Sequence, residues 1–183
     1  LCTMHKAGFV NIIGSPNVGK STLINAILGE KLVITNAKAQ TTRHRILGML
    51  NAKDYQLILS DTPGIIQPAY KLQESMMDAM QSVFDDADVL IYMVEIGEKK
   101  GKVESVIQRL AKIDKPLFLV INKIDKGNQT LLEDTIDAWK EQLPNAQIRS
   151  ISALEKFQIE ESVAQMVALL PEHQPYFPKD QLT

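Results

Sequence analysis

The sequence predicts an α/β domain built on a largely parallel sheet with helices on both faces. Short apolar runs typical of buried strands alternate with amphipathic runs of helical period along the 183 residues. A glycine-rich loop at 14–21 connects the first strand-like run to the first helix-like run. Two further runs, 46–50 and 55–59, are separated by a short polar stretch, which indicates a hairpin. We therefore expect a mostly parallel six-stranded sheet with one antiparallel hairpin.

The remaining elements follow from the spacing of apolar residues. Strands are expected at 9–13, 89–94, 117–121 and 147–150, and helices at 22–28 and 159–170. Two more helices are predicted by their apolar faces, which are formed by Val103, Val106, Ile107, Leu110 and Ile113 and by Leu131, Leu132, Ile136, Trp139 and Leu143.

Two stretches lack such periodicity. Residues 30–45 form a long connection, and a loop of this length within a compact domain is usually functional. The proline-punctuated stretch 172–183 is interpreted as the start of an interdomain linker after a domain of residues 1–171, with a short ordered tail as the alternative.

The composition is that of a globular protein with a core of its own. Hydrophobic residues make up 45% of the chain and charged residues 23%, with a formal net charge of −2. This charge gives no global basic field of the kind that attracts nucleic acid. No apolar run approaches the ~20 residues that span a bilayer, and we recognise no signal peptide. The single cysteine, Cys2, fits a reducing compartment, so we expect a cytoplasmic chain.

The loop at 14–21 fits the phosphate-binding pattern GxxxxGK[ST] at every fixed position. Gly14 and Gly19 let the backbone approach a phosphate chain, so that successive N–H groups form an anion-binding nest at the helix N-terminus. Lys20 would place its ammonium on the β- and γ-phosphates, and the Ser21 hydroxyl would ligate Mg²⁺. The loop does not distinguish ATP from GTP. The nucleotide-binding residues predicted here are Asn17, Val18, Gly19, Lys20, Ser21 and Thr22.

The sequence Asp-Thr-Pro-Gly at 61–64 follows the third predicted strand. An aspartate at the carboxyl end of a strand beside a phosphate loop is well placed to support Mg²⁺, which predicts this role for Asp61. The N–H of Gly64 can approach a γ-phosphate closely.

Two later motifs bear on the base. Asn122 and Lys123 precede Asp125, whose carboxylate can accept hydrogen bonds from the N1–H and the amino group of guanine. Adenine lacks both donors and would leave a carboxylate without partners, which disfavours an ATPase or a small-molecule kinase. The stem of Lys123 can lie over the base. At 152–154, Ser152, Ala153 and Leu154 could present the Ala153 N–H to guanine O6.

These four motifs, in this order, resemble those of Ras-like P-loop GTPases, and the wider sequence resembles the Era family of ribosome-assembly GTPases. Relatives such as Der and the tRNA-modifying MnmE share the general pattern and stay as alternatives. The segments that carry the resemblance are GSPNVGKSTLINAILGEKL at 14–32, KAQTTRHRILG at 38–48, DTPGI at 61–65, NKID at 122–125, SAL at 152–154 and the tail 175–183.

The resemblance implies roles for residues in two switch loops. Thr42 is expected to ligate Mg²⁺ and sense the γ-phosphate, with Thr41 as the fallback assignment. Ile65 stands where Ras-type enzymes have a water-orienting glutamine, so slow turnover is implied. Asn17 stands where some relatives use asparagine to help bind K⁺, although its side chain could simply brace the loop. The implied catalytic residues are Lys20, Thr42, Gly64 and Asn17, and the implied metal ligands are Ser21, Thr42 and Asp61.

The resemblance also implies partners. The resemblance implies a full-length protein with a KH domain that engages 16S rRNA of the 30S ribosomal subunit, and it leaves open a peripheral association of that protein with the membrane. No G-x-x-G loop of a KH domain follows the last predicted helix within 1–183. We therefore expect a monomeric G domain that binds GTP and GDP well and RNA poorly. A GTP-dependent binding module with negligible hydrolysis is the alternative from another functional class.

Overall fold

The computed structural model describes residues 4–14, 17–29, 45–61, 81, 84–101 and 104–179. Within these ranges the structure gives the bounds of six β-strands and four α-helices. The strands are β1 (Lys6–Gly14), β2 (Arg45–Asn51), β3 (Tyr55–Asp61), β4 (Val89–Glu95), β5 (Leu117–Asn122) and β6 (Gln147–Ser150), and the helices are α1 (Lys20–Leu28), α2 (Glu104–Ala111), α3 (Gln129–Gln142) and α4 (Ile159–Ala168).

The six strands form one sheet in the order β2-β3-β1-β4-β5-β6. Strand β1 runs parallel to both β3 and β4, and β4-β5 and β5-β6 are parallel pairs. The β2-β3 hairpin is antiparallel, as predicted, with a register shift between Ile46 and Gly48. All residues of β5 are buried, as expected for a strand covered on both faces. Since parallel strands end at the same edge, the loops after β1, β4 and β5 meet there.

Two apolar layers cover the sheet, one on each face. Helices α1 and α4 contribute to one layer, and α2 and α3 contribute to the other. Trp139 on α3 is fully buried, and its Nε1 donates to the carbonyl oxygen of Glu98 at 2.7 Å. The predicted α/β fold, with helices on both faces of a mostly parallel sheet, is therefore confirmed. No helix in the described ranges is long and apolar enough to cross a membrane.

The element bounds differ slightly from the predicted ones. Helix α1 begins at Lys20, two residues before the predicted start, because the loop turns directly into the helix at Gly19. Helix α4 ends at Ala168 rather than at 170. The apolar face predicted for α2 is observed at Val106, Ile107 and Leu110, which are buried, whereas Val103 lies outside the described residues.

Residues 172–179 pack back onto the sheet beside the hairpin. The fully buried side chain of Gln56 on β3 accepts through Oε1 from the backbone N–H of Tyr176 at 2.8 Å and of Phe177 at 3.2 Å. Its Nε2 donates to the Phe177 carbonyl at 2.9 Å. Nearer the N-terminus, the His173 N–H donates to the His5 carbonyl at 2.9 Å. Backbone groups of 172–179 are thus bound by residues of the sheet and of the N-terminal segment. The predicted domain boundary at 171 stays a prediction.

Replacing Gln56 with alanine is expected to destabilise the fold by about 2–4 kcal/mol, because several backbone groups lose a buried partner at ~1–3 kcal/mol each. Urea unfolding would measure this difference. Gln129→Ala is the matched control, since its Nε2 makes one exposed hydrogen bond to Glu133 Oε1 at 3.1 Å. Equal losses of stability in the two variants would contradict the anchoring role of Gln56.

Candidate nucleotide-binding site

The loop between β1 and α1 has the backbone geometry that a phosphate-binding loop needs. Asn17 and Gly19 both have positive φ, of 72° and 95°. A Cβ at Gly19 would lie 2.3 Å from Asn122 Nδ2, so only glycine fits there. Val18 is buried and fixes the loop to the core, whereas the Asn17 side chain is exposed.

The first turn of α1 presents groups suited to an anion. Lys20 is partly exposed, and the side chains of Ser21 and Thr22 are exposed. The first turn of α1 contains no acidic residue, so no side chain of this turn offsets the partial positive charge of the helix N-terminus. The N–H groups and dipole of this turn can therefore favour a phosphate.

Asn122 joins three parts of the site. Its Nδ2 donates to the Val18 carbonyl at 2.8 Å, and its Oδ1 accepts from the Ala153 N–H at 3.0 Å. The side chain is only 2% exposed. The loop after β1, the end of β5 and the segment after β6 are thereby held together. The Ala153 N–H that was predicted to reach guanine O6 is donated to Asn122, so a bond to a base would have to share it.

Lys123 follows Asn122 in the left-handed conformation, with φ of 62°. Its Nζ donates to the Asn17 carbonyl at 2.7 Å and to Glu95 Oε2 at 2.9 Å. The ammonium is thus tied to the phosphate loop and to the end of β4. The sequence reasoning missed Glu95, although its position directly after an apolar strand-like run was a usable signal.

Asp125 lies in the short 3₁₀ turn Ile124–Lys126, and its side chain is exposed. The buried Ser152 donates from Oγ to Asp125 Oδ1 at 2.8 Å. The same Oγ accepts from the Glu155 N–H at 3.2 Å, which fixes the hydroxyl. Because the carboxylate is oriented by a buried serine and still faces solvent, it can accept hydrogen bonds from a ligand. This role of Ser152 was not predicted.

A cavity of about 180 Å³ lies where these parts meet. Its lining residues are Gly19, Thr22, Asn122, Lys123, Asp125, Lys126 and Leu154. Leu154 is 68% exposed, so the apolar group at the cavity rim is open to a ligand. A larger cavity of about 460 Å³ between α1, α4 and the hairpin lies away from the loop motifs and is lined mainly by apolar side chains. The smaller cavity is lined mostly by the predicted nucleotide-binding residues.

Several predicted site residues lie outside the described part of the structure. These are Thr41, Thr42, Gly64 and Ile65, together with the side chain of Asp61, whose backbone ends β3 beside Ile12. In the described ranges no group of three or more His, Cys, Asp or Glu residues could hold a metal ion. The exposed Ser21 hydroxyl is an oxygen donor of the kind that Mg²⁺ binds.

Residues 9–123 match the sequence model of a family described as 50S ribosome-binding GTPase. The chain belongs to this GTPase family. It is 43% identical over 180 residues to GTPase Era of Alkaliphilus metalliredigens, covering 98% of this chain and 61% of the relative. It is 42% identical over 181 residues to GTPase Era of Clostridium novyi, covering 98% of this chain and 62% of the relative. The chain thus spans about three-fifths of the length of these GTPases.

Solved structures show the same relationship. An Era variant from Aquifex aeolicus bound to GDP and AlF₄⁻ matches 96% of this chain and 60% of its own, with 39% identity and a TM-score of 0.73. Era bound to MgGDPNP and a piece of 16S ribosomal RNA matches 96% and 61%, with 40% identity and a TM-score of 0.74. The FeoB G-domain of Methanococcus jannaschii, at 21% identity and a TM-score of 0.63, shares the fold. The predicted Era-type GTPase domain is thereby confirmed.

Proposed function

We propose that this chain is the G domain of an Era-type GTPase, which binds GTP and GDP and hydrolyses GTP as a molecular switch. The observation that carries the proposal is the Asn122 side chain, which joins the phosphate loop at Val18 to the segment at Ala153. This bridge places the phosphate-binding loop and Asp125 around one cavity. A nucleotide with its phosphates on the loop and its base at Asp125 matches that arrangement.

Guanine selection is assigned to Asp125. The carboxylate accepts from Ser152 at one oxygen and faces solvent, so the N1–H and amino donors of guanine can bind to it. Adenine has neither of these donors, so its binding would desolvate the Asp125 carboxylate without replacing the lost hydrogen bonds to water. Lys123, held at its ammonium, lines the cavity, and its alkyl stem can cover the face of the base.

Hydrolysis is assigned to attack of water on the γ-phosphorus, with cleavage of the bond to the β-phosphate oxygen and release of GDP and phosphate. No covalent intermediate with the protein is needed. Lys20 stabilises charge on the β- and γ-phosphates, and Gly64 offers its N–H to the γ-phosphate. Mg²⁺, held by Ser21 and Thr42 and supported by Asp61, would neutralise charge on the phosphate oxygens. The MgGDPNP in the Era structure supports the choice of metal.

A K⁺ ion beside the phosphates is assigned to Asn17. The Asn17 carbonyl already braces the loop through Lys123, and the exposed Asn17 side chain is therefore not needed for that contact. We expect hydrolysis by the wild-type chain to be faster in KCl than in NaCl, and Asn17→Ala to abolish the difference. Phosphate release in the two salts measures both. An Asn17→Ala protein with undiminished K⁺ stimulation would exclude this role.

The proposed partner is the small ribosomal subunit through its 16S rRNA, bound chiefly by a KH domain in the full-length protein. The Era structure with a piece of 16S ribosomal RNA supports this choice. The family description names the 50S subunit instead. A ribosomal partner also fits the proposed cytoplasmic location. Peripheral membrane association and a monomeric G domain stay predictions.

Two measurements test the proposed function. GDP and ADP affinities are compared first, and a preference for GDP of at least ~100-fold is expected from two lost charge-assisted hydrogen bonds. Phosphate release from GTP with Mg²⁺ is measured next, and slow release, near or below ~10⁻⁴–10⁻³ s⁻¹, is expected for an unassisted small GTPase. Tight GDP binding without phosphate release from GTP would favour the binding module. Ile65 is compatible with that outcome because its side chain cannot hydrogen-bond the attacking water. Equal affinities for GDP and ADP would overturn the assignment.

A further inference from the structure

The ammonium of Lys123 has two anchors that differ in chemistry. One is the carbonyl of Asn17 in the phosphate loop, at 2.7 Å, and the other is Glu95 Oε2, at 2.9 Å. The Lys123 side chain is 28% exposed and the Glu95 side chain 46% exposed. A flexible lysine is thus held at its tip by a charge-assisted hydrogen bond in a partly desolvated place.

The register of the sheet brings this pair together. Glu95 is the last residue of β4 and lies beside Asn122, the last residue of β5. Lys123 then turns through its left-handed conformation, and its side chain extends to Glu95. The acidic side chain therefore lies next to the base-recognition motif because of strand pairing between distant parts of the sequence.

The three residues that follow Glu95 are held by hydrogen bonds to neighbouring elements. The Ile96 N–H donates to the Asn122 carbonyl at 2.9 Å, and the Gly97 N–H donates to Thr135 Oγ1 at 3.1 Å. The Glu98 carbonyl accepts from the buried Trp139 Nε1 at 2.7 Å. Three successive residues after Glu95 are thus tied to β5 and α3. The backbone directly after Glu95 is therefore fixed, which keeps the Glu95 side chain within reach of Lys123.

We propose that Glu95 acts through Lys123 as a positioning residue for the nucleotide. This inference rests on the proposed guanine-nucleotide site. By fixing the ammonium, Glu95 holds the alkyl stem along the base cavity before the nucleotide arrives. Without it, the ammonium keeps its bond to the Asn17 carbonyl alone, and the stem regains part of the rotamer freedom that binding must then remove. The carboxylate also offsets the charge of Lys123. Glu95 therefore raises the affinity for the nucleotide, and such differences in affinity appear mainly in the dissociation rate.

The test is the dissociation rate of a fluorescent GDP analogue chased with excess GDP. Glu95→Gln keeps the size of the side chain and removes its charge, and it is expected to speed release about two- to fivefold, the range of partly exposed ion pairs. Glu95→Asp restores the carboxylate and is expected to recover most of the difference. Because salt screens exposed charges, the difference in dissociation rate between wild type and Glu95→Gln should decrease as the KCl concentration rises.

Asp134→Asn is the matched control. Its carboxylate belongs to an exposed pair with Lys99, at 4.0 Å, on the neighbouring helix and does not line the cavity. This variant is expected to release the analogue at the wild-type rate. A double-mutant cycle with Lys123→Met isolates the route of the effect. In the Lys123→Met background, Glu95→Gln should change nothing.

The outcomes separate this inference from the function on which it rests. If a folded wild-type chain does not retain the analogue, the guanine-nucleotide site itself is wrong. If the wild type retains it and Glu95→Gln releases it at the same rate, only the positioning role is overturned. An effect of Glu95→Gln that persists in the Lys123→Met background also overturns it, because Glu95 would then act by another route.

Discussion

Replacing Asp125 with asparagine is expected to weaken GDP binding by at least ~100-fold. The variant loses two charge-assisted hydrogen bonds to guanine, each worth ~1.5–3 kcal/mol. It also sets an amide donor against the donors of the base. The fold should be unaffected, since the Asp125 side chain is exposed. Calorimetric titration with GDP measures the loss, and unfolding temperature without nucleotide shows that the chain remains folded.

A second ligand makes the Asp125 experiment specific. Xanthine carries a carbonyl where guanine carries its amino group, and an asparagine amide can donate to that carbonyl. Asp125→Asn is therefore expected to prefer xanthosine diphosphate over GDP, whereas the wild type prefers GDP. Unchanged GDP affinity in the variant would show that Asp125 does not recognise the base.

Replacing Asn122 with alanine is expected to have the largest effect on the site as a whole. The Val18 carbonyl and the Ala153 N–H each lose their hydrogen bond to the Asn122 side chain. Asn122 is only 2% exposed, so water does not readily replace these bonds. Two buried backbone groups without partners cost ~1–3 kcal/mol each, so a loss of stability of about 2–5 kcal/mol is expected. Nucleotide binding should fall below detection, because the phosphate loop and the base segment are no longer joined.

Asn128→Ala is the control for the Asn122 experiment. Asn128 Oδ1 accepts from the Leu131 N–H at 2.8 Å and caps α3, so its removal costs ~1 kcal/mol. Thermal unfolding without nucleotide and GDP titration are measured for both variants. Asn128→Ala should lose some stability and keep its nucleotide affinity. If Asn122→Ala behaved in the same way, the joining role of Asn122 would be wrong.

The fold was predictable because its strands carry strong local signals. The uniformly apolar run that became β5 and the hairpin around 51–54 could be recognised from neighbouring residues alone. The phosphate loop was equally local, since Gly19 has to be glycine within its own motif. The residues that determine these elements lie within the elements or directly beside them in the sequence.

The contacts that were missed depend on distance in the sequence. Glu95 reaches Lys123 only because β4 pairs with β5 in a particular register. Asn122 was recognised in its motif, but its bond to Val18 spans 104 residues. Gln56 looked like one more strand residue, although its side chain binds backbone groups near the other end of the chain. Local patterns predict elements, whereas such pairings need the assembled sheet.

The packing of 172–179 on the sheet also bears on the order of folding. The contact of His5 Nδ1 with the His173 carbonyl, at 2.8 Å, closes a span of 168 residues. Gln56 can receive the tail only after β3 has paired with β1, because that pairing forms the surface on which the tail lies. Because closing so long a span costs chain entropy, we expect these contacts to form after the main folding barrier. The destabilisation expected for Gln56→Ala should therefore appear mainly as faster unfolding, so that the tail serves as a latch on a sheet already built.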